Sequence, residues 1–171
     1  LISPKFLFHQ VRPSPAPAAN GSVLIDDFSL ASRLSYFLWS SAPDAELLER
    51  AGDGRLRDNL EAQVERMLKD PKARAFTKGF AGQWLQLRDM NLIAPDPGHF
   101  PDFDPKLRKD MQRETELLFE HVLKTNRPVI EFLNSDYSFL NPRLAEHYGI
   151  EVRHSKGFKR VALANSPRKG L

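Results

Sequence analysis

Between Leu30 and Ser41 the sequence reads LASRLSYFLWSS, a run whose only charge is Arg33 and which leads into Pro43. At about 100° per residue, Leu30, Ala31, Leu34, Phe37 and Leu38 share one face of a helix. Tyr36 and Trp39 stand on the opposite side among serines, and Arg33 and Ser40 are left in a narrow polar wedge. A helix apolar nearly all round is stable in water only when other helices cover it. The run therefore predicts an all-α fold, an irregular bundle of about seven helices around a buried central helix over about residues 28–40.

Cap signals place the other helices. Asp26 or Asp27 offers an N-cap to the central helix, and Pro43 opens a short helix closed by Gly52 and Gly54. Asp58 with Glu61 forms a capping-box pattern ahead of Leu60, Val64, Met67 and Leu68. Asp70-Pro71 starts a helix expected to reach Leu87, with Phe76, Phe80, Trp84 and Leu87 on one side. Beside that stripe, Ala75, Gly79 and Gly82 predict a close helix crossing, because each interior glycine costs about 1 kcal/mol against alanine. Asp104-Pro105 caps the longest helix, which runs to about Lys124 with Leu107, Met111, Leu118 and Val122 inward. A short helix from Pro128 to Leu133, an extended DYSFL and a final helix from Pro142 to Tyr148 complete the core. Phe158 to Leu163 has the composition of a strand without an evident partner.

Composition removes several classes of function. With no cysteine the chain has no disulfide, no thiolate metal site and no CxxCH attachment for c-type haem. The formal charge of +3 comes from acids and bases that alternate along most of the chain, which argues against a nucleic-acid partner. Arg153, Lys156, Lys159, Arg160, Arg168 and Lys169 gather at the end opposite Glu151, as a solvated tail or a surface for a next domain. No apolar run reaches the ~18 residues of a membrane span. No GxSxG, GxGxxG or GK[ST] loop occurs, and the five histidines form no ExxH, HExxH or HxH pattern, so no metal site is expected.

Two polar side chains fall on the apolar face of the longest helix, Glu114 and His121. A carboxylate without a partner there costs several kcal/mol or takes up a proton. Arg33, the lone charge of the central helix, is the economical counter-charge, so Arg33, Glu114 and His121 are expected to form a structural polar network. Glu114, Asp136 and Asp44 are the candidates for a catalytic carboxylate should the domain be an enzyme. Glycoside hydrolysis would need two such groups about 5 to 9.5 Å apart across a groove.

Five segments carry a family resemblance: DDFSLASRLSYFLWSSAPDAELLERAGDGRL, QVERMLKDPKARAFTKGFAGQWLQL, FPDFDPKLRKDMQRETELLFEHVL and DYSFLNPRLAEHYGI, preceded by SPKFLF. In this order they resemble the domain of unknown function 1592 of planctomycetes and related bacteria, over about residues 26–150. Residues 1–25 then read as the tail of a preceding module plus the Pro/Ala/Ser linker VRPSPAPAANGS, and 151–171 as the basic start of a following one, domain of unknown function 1588. The resemblance implies a secreted or periplasmic multidomain protein in which such helical modules accompany a c-type cytochrome domain, and in some relatives carbohydrate-binding modules. It supplies no catalytic residues. The function it implies is a non-catalytic module docking or positioning a haem domain or its substrate, with haem elsewhere in the parent protein and neighbouring domains of the same chain as partners. The alternative is a carboxylate-based enzyme domain acting on polysaccharide.

Overall fold

The computed structural model describes residues 11–14, 23–153, 155–163 and 166–170. Leu1 to Gln10, read as the tail of a preceding module, and most of the Val11 to Ser22 linker lie outside the described residues. The chain divides into two compact units, Leu1–Phe76 and Thr77–Leu171.

The first unit is organised on α1 (Asp27–Trp39). The Asp26 carboxylate caps it by accepting from the Ser29 amide at 2.6 Å, and Ser40 ends it in the left-handed region at φ 52°. Arg12 donates its backbone N–H to Ser29 Oγ, and Pro13 bridges to Ile25, so the described linker residues are tied to the start of α1. The helix buries Ser29, Ala31, Ser35, Leu38 and Trp39. It leaves Phe28, Tyr36 and Phe37 exposed, and Arg33 is exposed too. The expected helix buried on all sides is therefore corrected to one with a single buried face. That face includes Ser35, a polar residue in any hydropathy count, which is fully buried with its hydroxyl donated to Ser41 O at 2.9 Å.

Asp44, rather than Pro43, opens α2 (Ala45–Gly52) by accepting from the Leu47 amide. No side-chain hydrogen bond caps α3 (Leu60–Lys69), so the Asp58 capping box does not form. Leu47, Leu56 and Met67 fill the core against α1, and the Trp39 indole donates to Met67 O at 2.9 Å. A 3-10 turn, Pro71–Ala73, and one α-turn, Arg74–Phe76, close the unit.

The second unit begins with a π-helical turn, Thr77–Ala81, and a short α-turn, Gly82–Trp84. The single helix expected from Pro71 to Leu87 is thus broken into unlike turns. The close crossing expected at Gly79 and Gly82 is also absent, since a Cβ at either would meet no atom within 4 Å. Low helix propensity here accompanies a widened turn.

Asp104 caps α4 (Pro105–Lys124) by accepting from the Leu107 amide at 2.7 Å and pairs with Arg143 at 2.8 Å. The Arg143 hydrogen bond, aided by the cap, lowers the Asp104 carboxyl to about 2. Along α4 the core is Leu107, Leu118, Phe119 and Val122. Strand β1 (Tyr137–Leu140) packs on this helix, and α5 (Pro142–His147), capped by Asn141, follows it. The partner missing for Phe158 to Leu163 is β1 itself: β2 (Lys159–Ala162) pairs with it antiparallel, Tyr137 opposite Ala162 and Leu140 opposite Lys159. The described residues are mostly helical, as expected, with one small two-stranded sheet beside the helices.

Candidate functional site

Glu114 sits midway along α4, facing β1 and the end of α5. Its Oε1 accepts from Ser138 Oγ at 2.5 Å and its Oε2 from Tyr148 Oη at 2.8 Å. Both donors are placed by the local fold. Ser138 is a buried position of β1, and Tyr148 closes α5 just before Gly149 turns the chain at φ 66°. Hydrogen bonds from hydroxyls to an ionised carboxylate are charge-assisted, so they hold Glu114 without a cation in direct contact.

The arrangement pushes the Tyr148 phenol well above its ordinary range. Burial is the largest cause, followed by the Glu114 charge and the hydrogen bond to it, while the Arg168 guanidinium, 3.7 Å from the ring centre, pulls the other way. Tyr137 is raised as well, by burial and then by its 2.6 Å hydrogen bond to Glu131. A group whose pKa rises on folding contributes stability that is complete below its unfolded value, about 10 for tyrosine, and is lost as pH climbs through the folded value. Phenolate absorbance should therefore show Tyr148 ionising only in strongly alkaline solution, with loss of stability above about pH 10. Tyr148→Phe should delete the most alkaline phase. Deletion instead of a phase near pH 10 would contradict the geometry.

These side chains line a cavity of about 650 Å³ whose other walls include Met111, Leu118, His147 and the stretch from Ser166 to Gly170. Among the described residues Glu114 is the one carboxylate on that wall. A neighbouring hollow of about 510 Å³ has Asp102, Asp104 and Glu146 beside Arg143, with Asp104 already committed to the arginine. Among the described residues no group of three or more histidines or acids is arranged to hold a metal ion.

Of the expected polar network, Glu114 is satisfied within the second unit by the hydroxyls of Ser138 and Tyr148, and Arg33 is exposed on α1 of the first unit. His121 lies against aromatic rings, 5.4 Å from both Tyr137 and Phe139. Burial lowers its pKa, with Arg160 adding to the effect, so the imidazole is held neutral near pH 7. The remaining carboxylate candidates are placed elsewhere. Asp136 is exposed, and its backbone carbonyl accepts from the Leu163 amide. Asp44 grips Arg66 through two hydrogen bonds of 2.7 and 3.2 Å while capping α2, and that arginine is the main reason its carboxyl is held low. Ser138 and Tyr148 were the residues that a reading of the sequence missed. Their signal was position: a strand residue with its side chain toward α4, and a tyrosine ending a helix ahead of glycine.

Among the described residues no helix is long and apolar enough to cross a membrane. No curated protein and no solved structure matches the chain. The family model described as PSD4, protein of unknown function (DUF1592), matches residues 25–150. With most of its length inside that match, and with the segments from Asp26 to Ile150 in the order the resemblance required, the chain belongs to the DUF1592 family.

Proposed function

We propose that the chain is a non-catalytic helical module of an exported multidomain protein, and that it docks a c-type haem domain of the same protein. The observation that carries this reading is an apolar surface on the second unit. Trp84 is 55% exposed, Val129 74%, Ile130 55% and Leu133 74%, and the Trp84 ring lies edge-on to Phe132 at 6.2 Å. Soluble proteins rarely leave large apolar side chains together in water unless another surface covers them. A π-helical turn directly precedes Trp84, and such turns are frequent at functional positions. The haem domain is named as occupant because relatives of this family resemblance combine the two kinds of module in one protein.

The reading is tested by titrating this chain with the haem-bearing domain of the same protein and following the haem spectrum and the heat of binding. Saturable binding is expected, weakened about tenfold or more by Trp84→Ala or Leu133→Ala, as for residues central to an interface. No binding, or binding indifferent to both substitutions, overturns it. Hydrolysis of a polysaccharide by the chain alone would overturn it in favour of a carboxylate enzyme.

A further inference from the structure

Two opposite charges reach the Glu114 cavity without reaching each other. Glu114 accepts one hydrogen bond at each carboxylate oxygen, from Ser138 and from Tyr148, and both donors are neutral hydroxyls. A carboxylate offers about four lone-pair sites, so about half of its accepting capacity stays open. The Arg168 guanidinium lies 3.7 Å from the centre of the Tyr148 ring, on an aromatic face and not on an acid. Among the described residues neither Glu114 nor Arg168 takes part in a salt bridge.

The fold holds these charges apart. Tyr148 follows α5 with its hydroxyl on Glu114 and its ring against Arg168, so one phenol ring separates the carboxylate from the guanidinium. Both charges act on that phenol, Glu114 raising its pKa and Arg168 lowering it. The backbone on either side of the Arg168 side chain is anchored: the Arg168 amide donates to Ser166 Oγ at 3.2 Å, and Gly170 donates to Ser135 O at 3.3 Å. Glycine is required at that second anchor, since φ is 68° and a Cβ would stand 2.5 Å from Phe132 O and 2.6 Å from Leu133 C.

Glu114 and Arg168 line the same half-open hollow of about 650 Å³, a size that suits a small molecule, and Met90, Met111 and Leu118 supply its apolar wall. Among the described residues the other titratable side chains on it are Tyr148 and His147. A molecule with a single charge satisfies one of the two groups. One that carries an ammonium and a carboxylate a few bonds apart satisfies both, through charge-assisted hydrogen bonds about twice as strong as neutral ones. We infer that the Glu114 cavity binds a small zwitterion, a free amino acid with an apolar side chain. Its ammonium donates to Glu114, its carboxylate accepts from Arg168, and its side chain lies along Met90, Met111 and Leu118. The site does not depend on whether a haem domain docks at the Trp84 surface.

Isothermal titration calorimetry of the full chain with L-leucine, L-methionine and L-phenylalanine tests this. At least one should bind saturably at about 1 mM or tighter, within reach of a ligand of this size. The tightest of them is then compared with its own amine, its deaminated acid and its 2-hydroxy acid, which keep the ammonium alone, the carboxylate alone, or a hydroxyl in place of the ammonium. Each should bind at least about tenfold more weakly, the effect of losing a charged hydrogen bond. Glu114→Gln should weaken the amino acid by a similar factor without weakening the deaminated acid. Arg168→Gln should weaken both by a smaller factor, because Arg168 is exposed, and leave the amine unchanged. The ligand series alone decides the matter if Glu114→Gln does not fold. No saturable binding of any of the three, a hydroxy acid that binds as tightly as the amino acid, or binding indifferent to both substitutions would overturn the zwitterion site.

Discussion

Trp39→Ala should destabilise the protein by about 3 to 5 kcal/mol, the cost of removing a large buried aromatic and leaving a cavity behind. Trp39 is 3% exposed at the end of α1 and is held from three sides. Its indole N–H donates to Met67 O at 2.9 Å, the Lys72 ammonium lies 4.6 Å from its ring centre, and the Arg66 guanidinium lies 5.6 Å away. Arg66 is in turn anchored on Asp44, so the ring and the α2 cap share one support. Trp39→Phe isolates the polar part. It keeps most of the apolar area and leaves Met67 O with only the longer 3.3 Å bond from the Asp70 amide, a loss of about 1 kcal/mol or less beyond the change in size. Urea denaturation followed by far-UV circular dichroism measures both. A loss below about 1 kcal/mol for Trp39→Ala would mean that the ring is not a keystone of the first unit.

Glu114→Leu should cost about 2 to 3 kcal/mol, because the hydroxyls of Ser138 and Tyr148 would both lose their acceptor. Ser138 is 3% exposed and has little access to water, whereas Tyr148 opens on the cavity and can recover part of its loss by hydration. Adding Ser138→Ala and Tyr148→Phe to Glu114→Leu removes the stranded donors, so the triple replacement should regain most of the stability. Replacing both sides of a buried polar contact by apolar groups of similar shape is often close to neutral. A fully stable Glu114→Leu protein would show that the carboxylate is not a structural tie, and would make it available for chemistry.

The helix starts were legible because each combines a short polar cap with a residue that fixes the first turn: Asp104 ahead of Pro105, Asn141 ahead of Pro142, Asp70 ahead of Pro71. Local chemistry decides a cap, so a local reading finds it. The burial of α1 was harder to read. Periodicity shows which residues share a face but not how many faces have neighbours, and the aromatic residues Phe28, Tyr36 and Phe37 remain outside although they are apolar. Glu114 was recognised as a core-facing acid from its helical phase. Its partners were not, since Ser138 and Tyr148 lie 24 and 34 residues away and carry no charge to draw attention. The strands themselves were legible, as an extended DYSFL and a strand-like Phe158 to Leu163, but their pairing was not, because strands of four residues carry no register signal that names a partner.

Lys159 and Arg160 of β2 have a consequence for behaviour at high concentration. Among the described residues the sheet has two strands and β2 pairs only with β1, so no further strand covers its far edge. An edge of this kind is a template for intermolecular stacking, and positive charge on it is one of the common deterrents. Lys159 and Arg160 bring two identical edges into like-charge repulsion whenever a second molecule approaches in register. Lys159 and Arg160 thereby oppose stacking through that edge, and their replacement by uncharged residues should raise the tendency to aggregate.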